Sequence, residues 1–268
     1  MARLDKEERA AEALLLVARW GRLRPQELGR LLYGYAEHAR KYAEVHCRKL
    51  EALGLVLARK LPGGIRTGTA YVLAEAGARW LAKVHGAGFS TGKDWGSTKG
   101  EQWKPPGCWK HDLRAYGVLS HLAALGYAVL PERVIRGDEP RSSKHPDGLI
   151  TNEKAGWTLW LEVEGARKSG ALYMAPMSRA LAAAARGEPV QHYDAVQHAP
   201  IQGAAVAFDP DARDERGYRK DHWGTIERAM AKEIKEPVAV SVILVEPDAG
   251  GGVKGIRMER RTVQPAGA

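Results

Sequence analysis

The sequence predicts a mixed α/β protein, and three observations carry that expectation. Apolar residues recur at helical spacing in three successive segments before Gly54, short apolar or β-branched runs set off by Gly and Pro punctuate the second half, and Ala- and Leu-rich helical stretches alternate with those runs. The 268 residues, 44% hydrophobic and 27% charged, supply apolar material for one large domain or two modest ones, and two is the expectation. Lys and Arg (41) exceed Asp and Glu (32), a net charge of +9 that suits a polyanionic partner, with nucleic acid first among them. No apolar run approaches the roughly eighteen residues a membrane span needs, and the opening Met1-Ala-Arg-Leu-Asp lacks the layout of a signal peptide. A cytoplasmic location is therefore predicted. Cys47 and Cys108 are too few for a disulfide scaffold, and Cys108-Trp-Lys-His111 is a lone C-x-x-H pair, short of a zinc site.

The spacing predicts a helix from Lys6 to Trp20, stopped by Gly21, then a short one from Pro25 that ends before Gly34 with Leu28, Leu31 and Leu32 inside. A third runs from about Ala36 to Leu53, with Ala39, Tyr42, Ala43, Leu50 and Leu53 on the inner face. Leu55 to Leu61, the turn Pro62-Gly63-Gly64 and Thr69 to Leu73 read as a hairpin, and Glu75 to Val84 as a closing helix. Helix, helix, helix, hairpin is the order of a winged helix-turn-helix, assigned to residues 1–85. Residues 86–108 shift to Gly, Ser, Thr, Lys and Trp, carry Pro105-Pro106 and keep no period, so they read as a linker. Trp95, Trp103 and Trp109 in and beside it suit either stacking on unpaired bases or, the better reading, anchoring to a domain surface.

Residues 109–268 form the second domain. A helix from about Trp109 to Leu125 precedes strand-like segments at Tyr127 to Ile135, Gly148 to Thr151 and Trp157 to Val163. Ala171 to Arg186 then reads as helix, Ala204 to Phe208 as a buried strand, Tyr218 to Ile234 as helix and Val238 to Val245 as a second buried strand. Ile256 to Val263 is an expected edge strand. The order is αβββαβ with an αβ addition.

In the first domain no residue looks catalytic. The third helix, with Lys41 and Arg48 on its exposed side and Lys49 near the edge, is expected in the major groove of double-stranded DNA, while Arg59, Lys60 and Arg66 at the wing reach phosphates. A solvated basic face or a protein-docking platform is the competing reading, and the overall charge favours DNA.

In the second domain the candidates are Asp147, in Pro146-Asp147-Gly148, and Glu162-Val163-Glu164, with Lys168 about a turn further on. Period two puts Glu162 and Glu164 on one strand face, and a hairpin from Gly148 brings Asp147 alongside. Three converging carboxylates call for a cation, and hard oxygen ligands favour Mg²⁺ or Mn²⁺, which would activate water for phosphodiester cleavage. Taken singly, Pro-Asp-Gly reads as a turn and Glu-x-Glu as a solvated face. His192, His198 and His222 show no metal-ligand spacing.

Over roughly Trp109 to Val245 the element order, Pro146-Asp147 and Glu162-Val163-Glu164 resemble the PD-(D/E)xK, restriction-endonuclease-like fold. That resemblance implies an acidic pair that binds metal and a lysine that positions the attacking water. Glu164 stands where the motif has its lysine, which leaves Lys168 or Arg167 to reach in, or a fold that has lost cleavage. The whole layout, with His111-Asp112-Leu113 added, resembles the replication-relaxation family of plasmid and mobile-element proteins. It implies DNA binding in replication or mobilisation, beside a relaxase or replication protein, and places His111 and Asp112 on a helix that carries a further acidic residue in many nucleases of the fold. Asp112 suits a capping or dipole role equally. The expected function is thus a DNA-binding protein with a nuclease-like domain acting as metal-dependent nickase or as a non-catalytic clamp. The alternative is a transcriptional regulator whose second domain binds a partner or effector.

Overall fold

The computed structural model describes residues 6–64, 67–99, 102–137, 145–164, 171–190, 200–214 and 216–267, and the protein is mixed α/β. The chain opens with α1 (Lys6–Trp20), β1 (Arg22–Leu23), α2 (Pro25–Tyr33), α3 (Ala39–Ala52), β2 (Val56–Lys60), β3 (Thr69–Leu73) and α4 (Glu75–His85), and the strands form a sheet ordered β1-β3-β2. Pro25 starts α2 where a missing N–H costs nothing. Gly29 lets α2 and α3 cross closely, since a Cβ there would lie 2.7 Å from the backbone of Ala39. The strand β1, two residues long, was not foreseen; it pairs antiparallel with Tyr71 and Val72. The inner stripe of α3 is Ala39, Ala43, Cys47 and Leu50. Tyr42 and Leu53, expected inside, are 49% and 60% exposed, because the stripe is rotated away from them; Tyr42 instead sets its ring edge-on to Tyr33 at 5.7 Å.

The segment 86–108 carries a hairpin, β4 (Ser97–Lys99) with β5 (Gln102–Lys104), and its tryptophans are anchored rather than free. Trp95 is buried in a cluster with Leu61, Ala70, Val72 and Leu113, and the Trp103 ring packs against it, tilted by 40° with centroids 5.2 Å apart, while donating its indole N–H to the Trp95 carbonyl at 2.9 Å. The run thus straps the β2–β3 hairpin to the start of the next helix.

That helix is α5 (Trp109–Ala124), followed by β6 (Ala128–Pro131), α6 (Glu132–Arg136), β7 (Gly148–Asn152), β8 (Trp157–Glu164), α7 (Ala171–Ala185), β9 (Gly203–Phe208), α8 (His222–Ala231), β10 (Val238–Pro247) and β11 (Val253–Val263). The strands form one sheet ordered β11-β10-β9-β8-β7-β6, with β6, β7 and β8 an antiparallel meander, β8, β9 and β10 parallel, and β11 an antiparallel edge. The expected strand Tyr127 to Ile135 divides: Pro131 has no N–H for the ladder and α6 begins beside it. The helix expected from Tyr218 begins at His222, where Asp221 caps it by accepting from the Gly224 amide at 2.8 Å.

One sheet face is covered by α5, through Ala115, Leu119 and Leu122 against Leu161, Val163, Ala205 and Ile243. The other is covered by α7 and α8, through Leu181, Ile226 and Met230 against Trp160, Val206, Val240 and Val242. The α5-side cluster continues without a break into Leu14, Val17, Leu28 and Leu73 of the helical unit. Polar links reinforce it: Tyr116 donates to the Trp20 carbonyl at 2.7 Å, and Arg24, buried in the helical unit, reaches Asp248 at 3.3 Å. The halves therefore meet through shared core. Among the described residues no helix is long and apolar enough to cross a membrane.

Candidate nucleic-acid interface and carboxylate cluster

Burial of Ala39, Ala43, Cys47 and Leu50 turns the opposite side of α3 outward. That side exposes Lys41, Arg48 and Lys49 together with Arg40, Tyr42 and Val45, the last 60% exposed. Arg48 makes an i−4 pair with Glu44 at 2.5 Å on the surface, where it is cheaply broken. Cations flanking one exposed aliphatic side chain can contact phosphates and a base methyl group together. On the β2–β3 hairpin Lys60 is exposed, but Arg59 is turned inward, its guanidinium 5.6 Å from the Trp103 ring centroid. It therefore does not project as an outer phosphate contact, because the strap occupies it. Arg66 lies outside the described residues.

Period two does put Trp160, Glu162 and Glu164 on one face of β8, and that face is the one α7 covers. Glu162 is fully buried and accepts the Trp160 indole N–H at 2.7 Å. Asp147, buried before β7, turns its Oδ2 onto β8: the Val163 amide donates to it at 2.7 Å, and His111 Nε2 of α5 lies 3.3 Å away. His111 Nε2 is also 3.1 Å from the Val163 carbonyl. Glu164 is buried as well, and its backbone carbonyl accepts from Arg114 at 3.3 Å. Lys168 and Arg167 lie outside the described residues.

The three carboxylates thus share a neighbourhood without a shared focus. Asp147 Oδ2 accepts from the Val163 backbone amide and lies near His111 of α5, while Glu162 accepts from Trp160 on the side that α7 covers. Among the described residues, no three or more His, Cys, Asp or Glu side chains are placed to hold one ion. The donor types would suit Mg²⁺ or Mn²⁺.

Asp112 joins the two halves. Its carboxylate meets Arg22 of β1 at 2.7 Å, accepts from the Trp95 indole at 3.2 Å and from the Cys108 thiol at 3.5 Å, and does not cap α5. Arg22 also lies over the Trp95 and Tyr116 rings, at 5.1 and 4.9 Å. Burial pushes the Asp112 pKa up, but His111, Arg22 and Trp95 outweigh it and hold the group below the ordinary carboxylate range. A depressed folded value means that its stabilisation is present above the unfolded value, roughly 3.9, and is lost as pH falls through the lower folded one. Asp112→Asn is expected to cost about 1.5–3 kcal/mol near neutral pH, with the gap to the unmodified protein closing in acid. Melting temperatures of both proteins against pH check this, and a gap constant with pH would rule out the charge as its source.

Sequence reading also missed a polar group at the carboxyl ends of β8 and β9, where Arg114, the buried Asp209 and His222 gather. Burial lowers the pKa of Arg114, opposed by Asp209; burial, then Lys220 and Arg114, lowers that of His222. Spread over α5, β9 and α8, these residues leave no short motif. Comparison with protein-family models, with curated proteins and with solved structures finds no match.

Proposed function

We propose that this protein binds double-stranded DNA through α3, and that its α/β domain acts as a non-cutting clamp fused to that reading unit. The outer face of α3 carries the proposal: Lys41, Arg48 and Lys49 around the exposed Val45, in a chain of net charge +9. The order of α1, α2, α3 and the β2–β3 hairpin supports reading residues 1–85 as a winged helix-turn-helix, and the run α5, β6, β7, β8, α7, β9 supports a restriction-endonuclease-like αβββαβ core. The clamp reading is favoured over a nickase because Asp147 and Glu162 each accept a hydrogen bond from the fold itself, from the Val163 amide and the Trp160 indole, and because Glu164 stands where the nuclease motif has its lysine. A setting in plasmid or mobile-element replication or mobilisation, beside a relaxase or replication protein, rests on the sequence resemblance alone.

The test uses supercoiled plasmid. Affinity in gel shifts is expected to fall steeply between low and physiological salt, and a flat affinity counts against DNA binding. With Mg²⁺ or Mn²⁺ added, the plasmid is expected to stay supercoiled. Nicking that disappears in Glu162→Ala would replace the clamp with a metal-dependent nuclease.

A further inference from the structure

We propose that the outer edge of β11 is a second DNA contact, a basic track for phosphates of the duplex that α3 engages; this rests on the DNA-binding reading above. β11 is the last strand of the six-stranded sheet and, among the described residues, is paired only with β10, from Val253 to Val263. At 11 residues it is a long edge, and long edges need charge to block pairing with other chains. Here the charge is nearly all of one sign, with Lys254, Arg257, Arg260 and Arg261 against Glu259 alone. Lys254 pairs with Glu246, and Arg261 pairs with Glu259 while lying over the Trp223 ring at 5.0 Å. Arg257 and Arg260 are exposed, and neither has an ion-pair partner among the described residues.

Period two sends Arg257 to the face of Arg261 and Val263, and Arg260 to the face of Ile256 and Met258, so the two guanidinium groups straddle the edge. Three residues of strand separate them by roughly 10 Å, about three base steps along a DNA strand. The first residue of β11 is tied to the segment that leads into α3. At its head the Val253 carbonyl accepts from Arg30 of α2 at 3.0 Å and lies 3.4 Å from His121 Nε2. His121 Nδ1 in turn is 2.8 Å from the Tyr35 hydroxyl, in the turn that leads into α3, where Arg40 and Lys41 are exposed in the first turn. A guard against aggregation works with either sign of charge. A phosphate track needs one prevailing sign and a strand that begins near the first contact, and β11 carries four cations against one acid and starts at Val253, bonded to Arg30 of α2.

The experiment compares the full-length protein with Arg257→Gln/Arg260→Gln on a random-sequence duplex, with melting temperature as the folding control. The slope of log affinity against log salt is expected to shrink by about 1.8, at 0.9 per phosphate released, and the protected footprint to shorten at one end. Thr262→Glu, which adds an acid to the same edge, is expected to weaken binding in the same direction. Unchanged slope and footprint in the folded double variant would overturn the track while leaving α3 binding in place. Binding of a poly-glutamate peptide that needs these arginines, with the DNA slope unchanged, would assign the edge to an acidic protein and also overturn it. A protein that binds no duplex at low salt would overturn the DNA-binding reading as well.

Discussion

Replacing Lys41, Arg48 and Lys49 together by alanine is expected to lower affinity for double-stranded DNA by roughly two to three powers of ten near 0.1 M salt, and to shrink the salt slope by about 2.7. The figure follows from three phosphate contacts at 0.9 released counterion each. All three side chains are exposed on α3, opposite the stripe formed by Ala39, Ala43, Cys47 and Leu50, so the substitutions remove charge without opening the core. Alanine also favours helix, which guards the folded state. Val45→Ala separates reading from holding: it removes only an exposed aliphatic group between those cations, so it should leave the salt slope unchanged and flatten any preference between sequences. Salt-series gel shifts on two unrelated duplexes measure both. A triple variant that binds like the unmodified protein would move the DNA contact off α3 altogether.

The regular elements were legible because their periods are long. α1 falls on Lys6–Trp20 as its apolar spacing predicts, and β8 and α7 are displaced by no more than a residue at either end. What escaped is short or non-local. β1 has two residues and β4 and β5 three each, too few to show a period. The strap that contains β4 and β5 is held by contacts such as Trp95 with Asp112 that no local pattern announces. The carboxylates are the instructive case. Alternation places Glu162 and Glu164 on one face of β8, and that face is the one α7 covers. Trp160 has the same parity and was the available signal, since a tryptophan two residues before a glutamate marks a face that is covered. In α3 a neighbouring stripe of similar hydrophobicity put Tyr42 and Leu53 inside, although Ala39, Ala43, Cys47 and Leu50 give the small side chains that close helix contact needs.

The largest expected loss of stability comes from Arg24, the residue least suited on its face to a core. Its side chain is 0% exposed and that of Glu27 is 1% exposed, and the two meet at 2.6 Å. Glu27 also accepts the Arg24 backbone N–H at 3.2 Å, so one carboxylate closes the start of α2 and neutralises the guanidinium at once. Arg24 donates further to the Thr67 carbonyl at 3.3 Å and to Asp248 at 3.3 Å, on the turn between β10 and β11. Gly252 makes room for it, since a Cβ there would lie 1.9 Å from Nη2. Burial lowers the Arg24 pKa, but Glu27 and Asp248 more than offset this and raise it, so the group stays charged and the pair stays intact. Arg24→Met keeps the apolar stem and strands the Glu27 carboxylate in the core. That is expected to cost about 3–5 kcal/mol, or roughly 6–20 °C of melting temperature for a chain of this size. Adding Glu27→Leu removes the stranded charge, and the double variant is expected to recover most of the loss. Thermal melts of the three proteins decide between two causes. If the double variant is no more stable than Arg24→Met, the loss lies in the link to Asp248 and the β10–β11 turn, and the junction between the halves, not the buried pair, is what Arg24 holds.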